Sequence, residues 1–238
     1  MKILLAALAV LIVTVVSTLV SFLMYQRAPV VALATPVCSG PADARQRVLV
    51  VGDSWVDGGN VDAAMAGTAR VCSVSYSGLT GQDVLQSFTA DRDARDAVLA
   101  DLGHVTDAVM LVGVNDVIQH RGAAYYADGV KRLAEHLSTL ADRVVVLELP
   151  ATQVAAGVLL PPMEVITTLF ACLNDWCARD VTTPYRAAAA SLPITLIDYD
   201  RLAPRFAPGD FEADGIHLTP QRYADLGRII ADAALGPR

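Results

Sequence analysis

The first 34 residues contain no Asp or Glu, and their only charges are Lys2 and Arg27. Basic residues are scarce overall: the 238-residue chain has 18 Lys and Arg against 25 Asp and Glu, a formal net charge of −7. From position 35 onward the balance is 16 to 25, or −9. With no cluster of Lys and Arg to contact phosphates, the composition argues against a nucleic-acid partner. Low-complexity tracts are missing, and 54% of the residues are hydrophobic, which argues against disorder. Cysteine is limited to four positions, without a Cys-x-x-Cys spacing or a Cys/His set suited to zinc. No metal or cofactor is implied.

What the sequence does have is apolar length. The mean hydropathy is +0.44, and residues 3–25 run 23 positions without a charge. A helix needs about 20 apolar residues to cross the hydrocarbon core, whereas a cleavable signal has an apolar region of about 7–15. The run therefore reads as a transmembrane signal-anchor over 1–25, giving a membrane-anchored chain with its body outside the cytoplasm. Secretion after cleavage at the small residues Ala32-Leu33-Ala34 is the alternative. A linker over 26–46 and a single domain over 47–238 follow.

The cysteines agree with export. Four of them allow three pairings, and proximity in the chain favours Cys38–Cys72 and Cys172–Cys177, with four free thiols as the alternative. Pro36 and Val37 precede Cys38 where a lipoprotein processing site needs small residues.

Within the body, short Val-, Ile- and Leu-rich runs at 48–51, 71–76, 108–112, 144–149 and 194–197 read as strands buried on both faces. Helical patterns lie between them. One carries Val130, Leu133, Ala134, Leu137 and Leu140 on a single face, and another starts at Thr219 and Pro220. This alternation predicts a three-layer α/β/α fold around a five-stranded parallel sheet. The stretch 151–192 is long for one crossover and predicts an additional helix.

In open parallel sheets, sites form at the carboxyl ends of the strands. Those ends, and the segment before the last helix, read VVGDSWVDGG, SYSGLTG, VGVND and DGIHLT. These four blocks, in this order over about residues 48–220, resemble the SGNH hydrolase superfamily of GDSL-type esterases and lipases. The resemblance implies a flavodoxin-like fold and an esterase with Ser54 as nucleophile, His217 as general base and Asp214 orienting the imidazole. It also implies an oxyanion hole made of the Ser54 and Gly78 backbone N–H groups and the Asn115 side chain. The residue types fit that chemistry. A serine hydroxyl needs an adjacent imidazole to lose its proton, and an amide donor stabilises a developing oxyanion without burying charge. Asp53 reads as a brace of the nucleophile turn, and Asp116 as a helix N-cap, with a brace behind the site as the alternative. Trp55, where many members carry Leu, and Asp57 are candidates for the substrate entrance. His104, His120 and His136 read as surface or helix-face residues.

The function expected is a serine esterase that deacetylates cell-envelope or extracellular carbohydrate. The alternatives are a polysaccharide O-acetyltransferase, a lipase or thioesterase acting on lipid esters, and a non-catalytic envelope binding module. The partners expected are an ester of carbohydrate or lipid and a membrane engaged through residues 3–25.

Overall fold

The structure, a computed structural model, describes residues 11–16, 19, 30–59, 61–119, 121, 123–147, 183–192, 195–197, 208–212 and 217–236. Six strands form one sheet: β1 (Val37–Ser39), β2 (Arg47–Gly52), β3 (Arg70–Ser75), β4 (Val105–Leu111), β5 (Ala141–Leu147) and β6 (Thr195–Ile197). Their order is β1-β3-β2-β4-β5-β6. β2 to β6 are parallel, each within a few residues of a run read as a strand. The all-parallel, five-stranded expectation is corrected by β1, which pairs antiparallel with the edge of β3. Three residues, Val-Cys-Ser, are too few to give an apolar run, so the strand was hidden inside the stretch assigned to the linker.

The alternation along β2 separates the two faces of the sheet. Leu49 and Val51 pack with Val84, Phe88, Val98, Tyr126 and Leu133. These belong to α3 (Gly81–Ala90), α4 (Arg92–Leu102) and α6 (Ala123–Leu137). Val48 and Val50 pack with Trp55, Met65, Tyr223 and Ile230, from α1 (Ser54–Gly59), α2 (Val61–Met65) and α8 (Pro220–Leu235). The three-layer arrangement is thus present, with β2 buried on both sides. Two further helices among the described residues of the body are α5 (Val114–Ile118) and α7 (Thr183–Ala190). α7 is the crossover helix between β5 and β6; the further helix expected within 151–192 falls on 151–182, outside the described residues. Arg143 on β5 reaches past the buried Asp107, at 2.7 Å, to the carbonyl of Ala234 at 2.6 Å, tying the last turn of α8 to the sheet.

Residues 30–34, read as linker, lie along α3. The backbone N–H groups of Val30, Ala32 and Ala34 donate to Asp83 (2.7 Å), Ser87 (3.0 Å) and Asp91 (2.8 Å). The two periods match: alternate residues of an extended chain are about 6.6 Å apart, and four residues of helix rise about 6 Å. Inward residues Val30, Ala32 and Ala34 pack on the core, so residues 30–39 form a strap that ends in β1.

Cys38 and Cys72 face one another across β1 and β3 and form a disulfide, as chain proximity favoured. Cys172 and Cys177 lie outside the described residues. The Cys38–Cys72 bridge closes a sequence separation of 34, which is worth about 3–4 kcal/mol through restriction of the unfolded chain. The double variant Cys38→Ala/Cys72→Ala is therefore expected to lose about 3 kcal/mol in urea unfolding, while its far-UV circular dichroism at low temperature stays unchanged.

Of the apolar run, residues 11–16 and 19 are described; they are helical and exposed. Among the described residues, no helix is long and apolar enough to cross a membrane.

Candidate active site

β2 ends at Gly52, and Ser54 opens α1 immediately afterwards. The turn is tightly fixed. Asp53 N–H continues the ladder to Leu111 O (3.0 Å), and the Asp53 carbonyl accepts from Val56 N–H (3.0 Å) and the Ser75 hydroxyl (2.9 Å). A Cβ on Gly52 would stand 2.1 Å from Leu111 O, so only glycine lets β4 approach this closely.

His217 is brought over the turn by a pinch in the chain ahead of α8. Glu212 N–H donates to His217 O (2.7 Å) and Thr219 N–H to Asp210 O (2.8 Å), around the Phe211–Leu218 bridge. Thr219 then occupies the N-cap position of α8 with Pro220 next, as expected, although the threonine side chain makes no capping bond. The result places His217 Nε2 3.1 Å from Ser54 Oγ, across 163 positions of sequence. Both residues are partly exposed. Asp214 lies outside the described residues.

The remaining blocks converge on the same turn. Asn115, near the start of α5, donates from Nδ2 to Asp53 Oδ2 (3.2 Å), while Asp53 Oδ1 accepts from Trp55 N–H (3.0 Å). One carboxylate thus braces the Ser54 turn and orients the candidate oxyanion donor; bracing was the role read for Asp53. Gly78 has φ +77° and open space where a Cβ would stand, which suits a backbone N–H presented to a ligand. Its carbonyl accepts from Gln119 Nε2 (2.8 Å), and neighbouring Ser77 donates to Asp57 on α1 (3.1 Å). Gln119 escaped the sequence reading. The available signal is its spacing of four from Asn115, one turn along the same face.

Two expectations are corrected. Trp55 does not line an entrance: it is 3% exposed and packs edge-on against Tyr223, 6.1 Å between ring centroids, where α1 meets α8. Its position in the first turn of α1 points it into the core behind Ser54. Asp57, by contrast, is exposed beside Ser77. Asp116 is not the N-cap of α5, which is Gly113, and takes the bracing role that was the alternative reading. It accepts from Gly81 N–H (2.9 Å), an orphan donor at the start of α3. His104 pairs with Asp142 at the surface, and His136 packs edge-on against Phe88 on the α6 side, in line with their expected roles. His120 lies outside the described residues.

Burial pushes the Asp53 carboxyl up to about 7, against the opposing pull of Trp55 N–H, the Asn115 amide and His217. Burial likewise pushes Asp116 up to about 7, with the Asp53 and Asp83 charges adding to the effect and Gly81 N–H opposing it. Between the ordinary value of 3.8 and about 7, folded Asp116 keeps a proton that the unfolded chain releases, so its contribution to stability falls as pH rises. Asp116→Asn retains an acceptor for Gly81. Relative to the parent protein it is expected to gain on the order of 2 kcal/mol between pH 5 and pH 8, read by urea unfolding at both pH values.

No family model matches the chain, and no curated protein matches it in sequence. Solved structures do match in fold. A lipase/acylhydrolase from Enterococcus faecalis superposes with a TM-score of 0.53 at 16% identity, covering 81% of this chain and 96% of that one. An acetylxylan esterase from Geobacillus stearothermophilus gives 0.52 at 15% identity, covering 82% and 96%. An alpha/beta hydrolase enzyme from the metagenome of Lake Arreo, Spain, gives 0.52 at 15%, covering 81% and 96%. Further structures of the Geobacillus enzyme carry catalytic substitutions of a serine, an aspartate and a histidine, the aspartate three positions before the histidine. The fold implied by the four sequence blocks is thus the fold of these hydrolases.

Proposed function

We propose that this chain is a serine esterase of the SGNH superfamily, acting on short acyl esters of envelope or extracellular carbohydrate. The observation that carries the reading is the 3.1 Å approach of His217 Nε2 to Ser54 Oγ at the carboxyl end of the central strand. Asp214, three positions before His217, repeats the spacing of the catalytic aspartate and histidine in the Geobacillus esterase and is assigned to His217 Nδ1. In this reading Ser54 Oγ attacks the ester carbonyl while His217 takes its proton. The Ser54 and Gly78 N–H groups and Asn115 Nδ2 hold the oxyanion of the tetrahedral intermediate. The C–O bond to the alcohol then breaks, and His217 returns the proton to the leaving oxygen. Water, deprotonated by the same imidazole, attacks the acyl-serine; its collapse releases the acid and returns a proton to Ser54.

Export and anchoring complete the proposal: residues 1–25 hold the chain in a membrane, with the body outside the cytoplasm. Three features support this: the 23-residue apolar run, the Cys38–Cys72 bridge suited to an oxidising compartment, and the strap. Val30, Ala32 and Ala34 are built into the domain, which favours the uncleaved form over release near Ala34.

The test is a comparison of aryl acetate and aryl octanoate as substrates of the full chain. An acetate preference in kcat/KM, together with acetate release from acetylated xylan, supports the carbohydrate reading. An octanoate preference overturns it in favour of lipid esters. Acetyl transfer to added oligosaccharide in place of hydrolysis identifies a transferase.

A further inference from the structure

The strap has a second face. Its burial alternates strictly from residue 31 to 37. While Ala32 and Ala34 turn inward, Val31 (50% exposed), Leu33 (83%) and Val37 (52%) point to solvent on one face, with the small hydroxyl residue Thr35 exposed between the last two. A single exposed apolar residue needs no explanation, but an aligned row of three on an anchored segment does. The row cannot rotate inward. The N–H groups of residues 30, 32 and 34 are fixed to Asp83 and Ser87 on α3 and to Asp91 at its C-terminal cap, and Cys38 is covalently held to β3.

The sequence determines what this row meets. The apolar run ends at Tyr25, and Val30 is five positions later. Fully extended, five residues reach at most about 18 Å. The headgroup region of one leaflet is itself about 5–8 Å deep, so a chain anchored through residues 3–25 has its strap at the membrane surface. We infer that the outward row Val31, Leu33 and Val37 rests on the lipid bilayer, setting the domain on the membrane along the strap edge. The inference rests on the anchor reading proposed above and adds an orientation to it.

The test places p-benzoylphenylalanine singly at Val16, Leu33, Val37 and Arg228 in the full chain. Each protein is reconstituted into phosphatidylcholine–phosphatidylglycerol vesicles with radiolabelled lipid and irradiated. Arg228, exposed on α8 across the sheet from α3, is the control. Lipid labelling from positions 33 and 37 is expected on the order of tenfold above that from 228, because apolar side chains partition into the interface. Labelling from 16 but not from 33 or 37 above the 228 level leaves the anchor standing and overturns the inference. Absence of lipid labelling from 16 removes the anchor itself, and the inference with it. A crosslink from 33 to a second copy of the chain also overturns it.

Discussion

Ser54→Ala is expected to lower kcat for an aryl acetate by on the order of 10³–10⁶, leaving only the rate that binding and the oxyanion donors sustain. The substitution removes one hydroxyl from a partly exposed position at the start of α1. Alanine is at home in a helix, so the fold and its melting temperature are expected to persist. What is lost is the atom 3.1 Å from His217 Nε2. The measurement pairs steady-state turnover with mass spectrometry after an aryl phosphonate, which marks an activated serine. The parent chain is expected to gain one adduct at Ser54, and the variant none. Turnover within tenfold of the parent would show that the nucleophile lies elsewhere.

Asn115→Ala is expected to reduce kcat by about 10²–10³ with little change in KM, the signature of a donor used chiefly in the transition state. Asn115 sits in the first turn of α5 and is 9% exposed, with Nδ2 held by Asp53 Oδ2 at 3.2 Å. The same reasoning reaches Asp53. Asp53→Asn sets one amide donor against another, so it is expected to lower kcat in the same direction by turning Asn115 away. An Asn115→Ala variant that raised KM and spared kcat would place the residue in ground-state binding instead.

Much of the fold was legible because parallel strands covered on both faces read as unbroken apolar runs, as 48–51 and 108–112 do. β1 was not legible, since its partner lies 34 positions on in the sequence and its three residues carry no period. The site shows the same division. Ser54, Gly78, Asn115 and His217 stand in blocks whose order and spacing mark them, and the structure brings Ser54 to His217 and Asn115 to Asp53 beside Ser54. Trp55 and Asp116 were misplaced because their destinations depend on packing across the sheet. Trp55 goes to Tyr223 on α8, and Asp116 to the free N–H of Gly81 on α3. Sequence neighbours cannot reveal such partners.

The strap also decides where mechanical load goes. A tug on the chain ahead of Val30 enters the domain along α3, where three hydrogen bonds share it in shear. Whatever passes them reaches the sulfur bridge between Cys38 and Cys72, which hands it to β3 at the rim of the sheet. The Gly52–Ser54 turn, at the tip of the neighbouring strand β2, lies off that line. Tension from a moving surface would therefore be grounded in the sheet's edge before it could pull His217 away from Ser54.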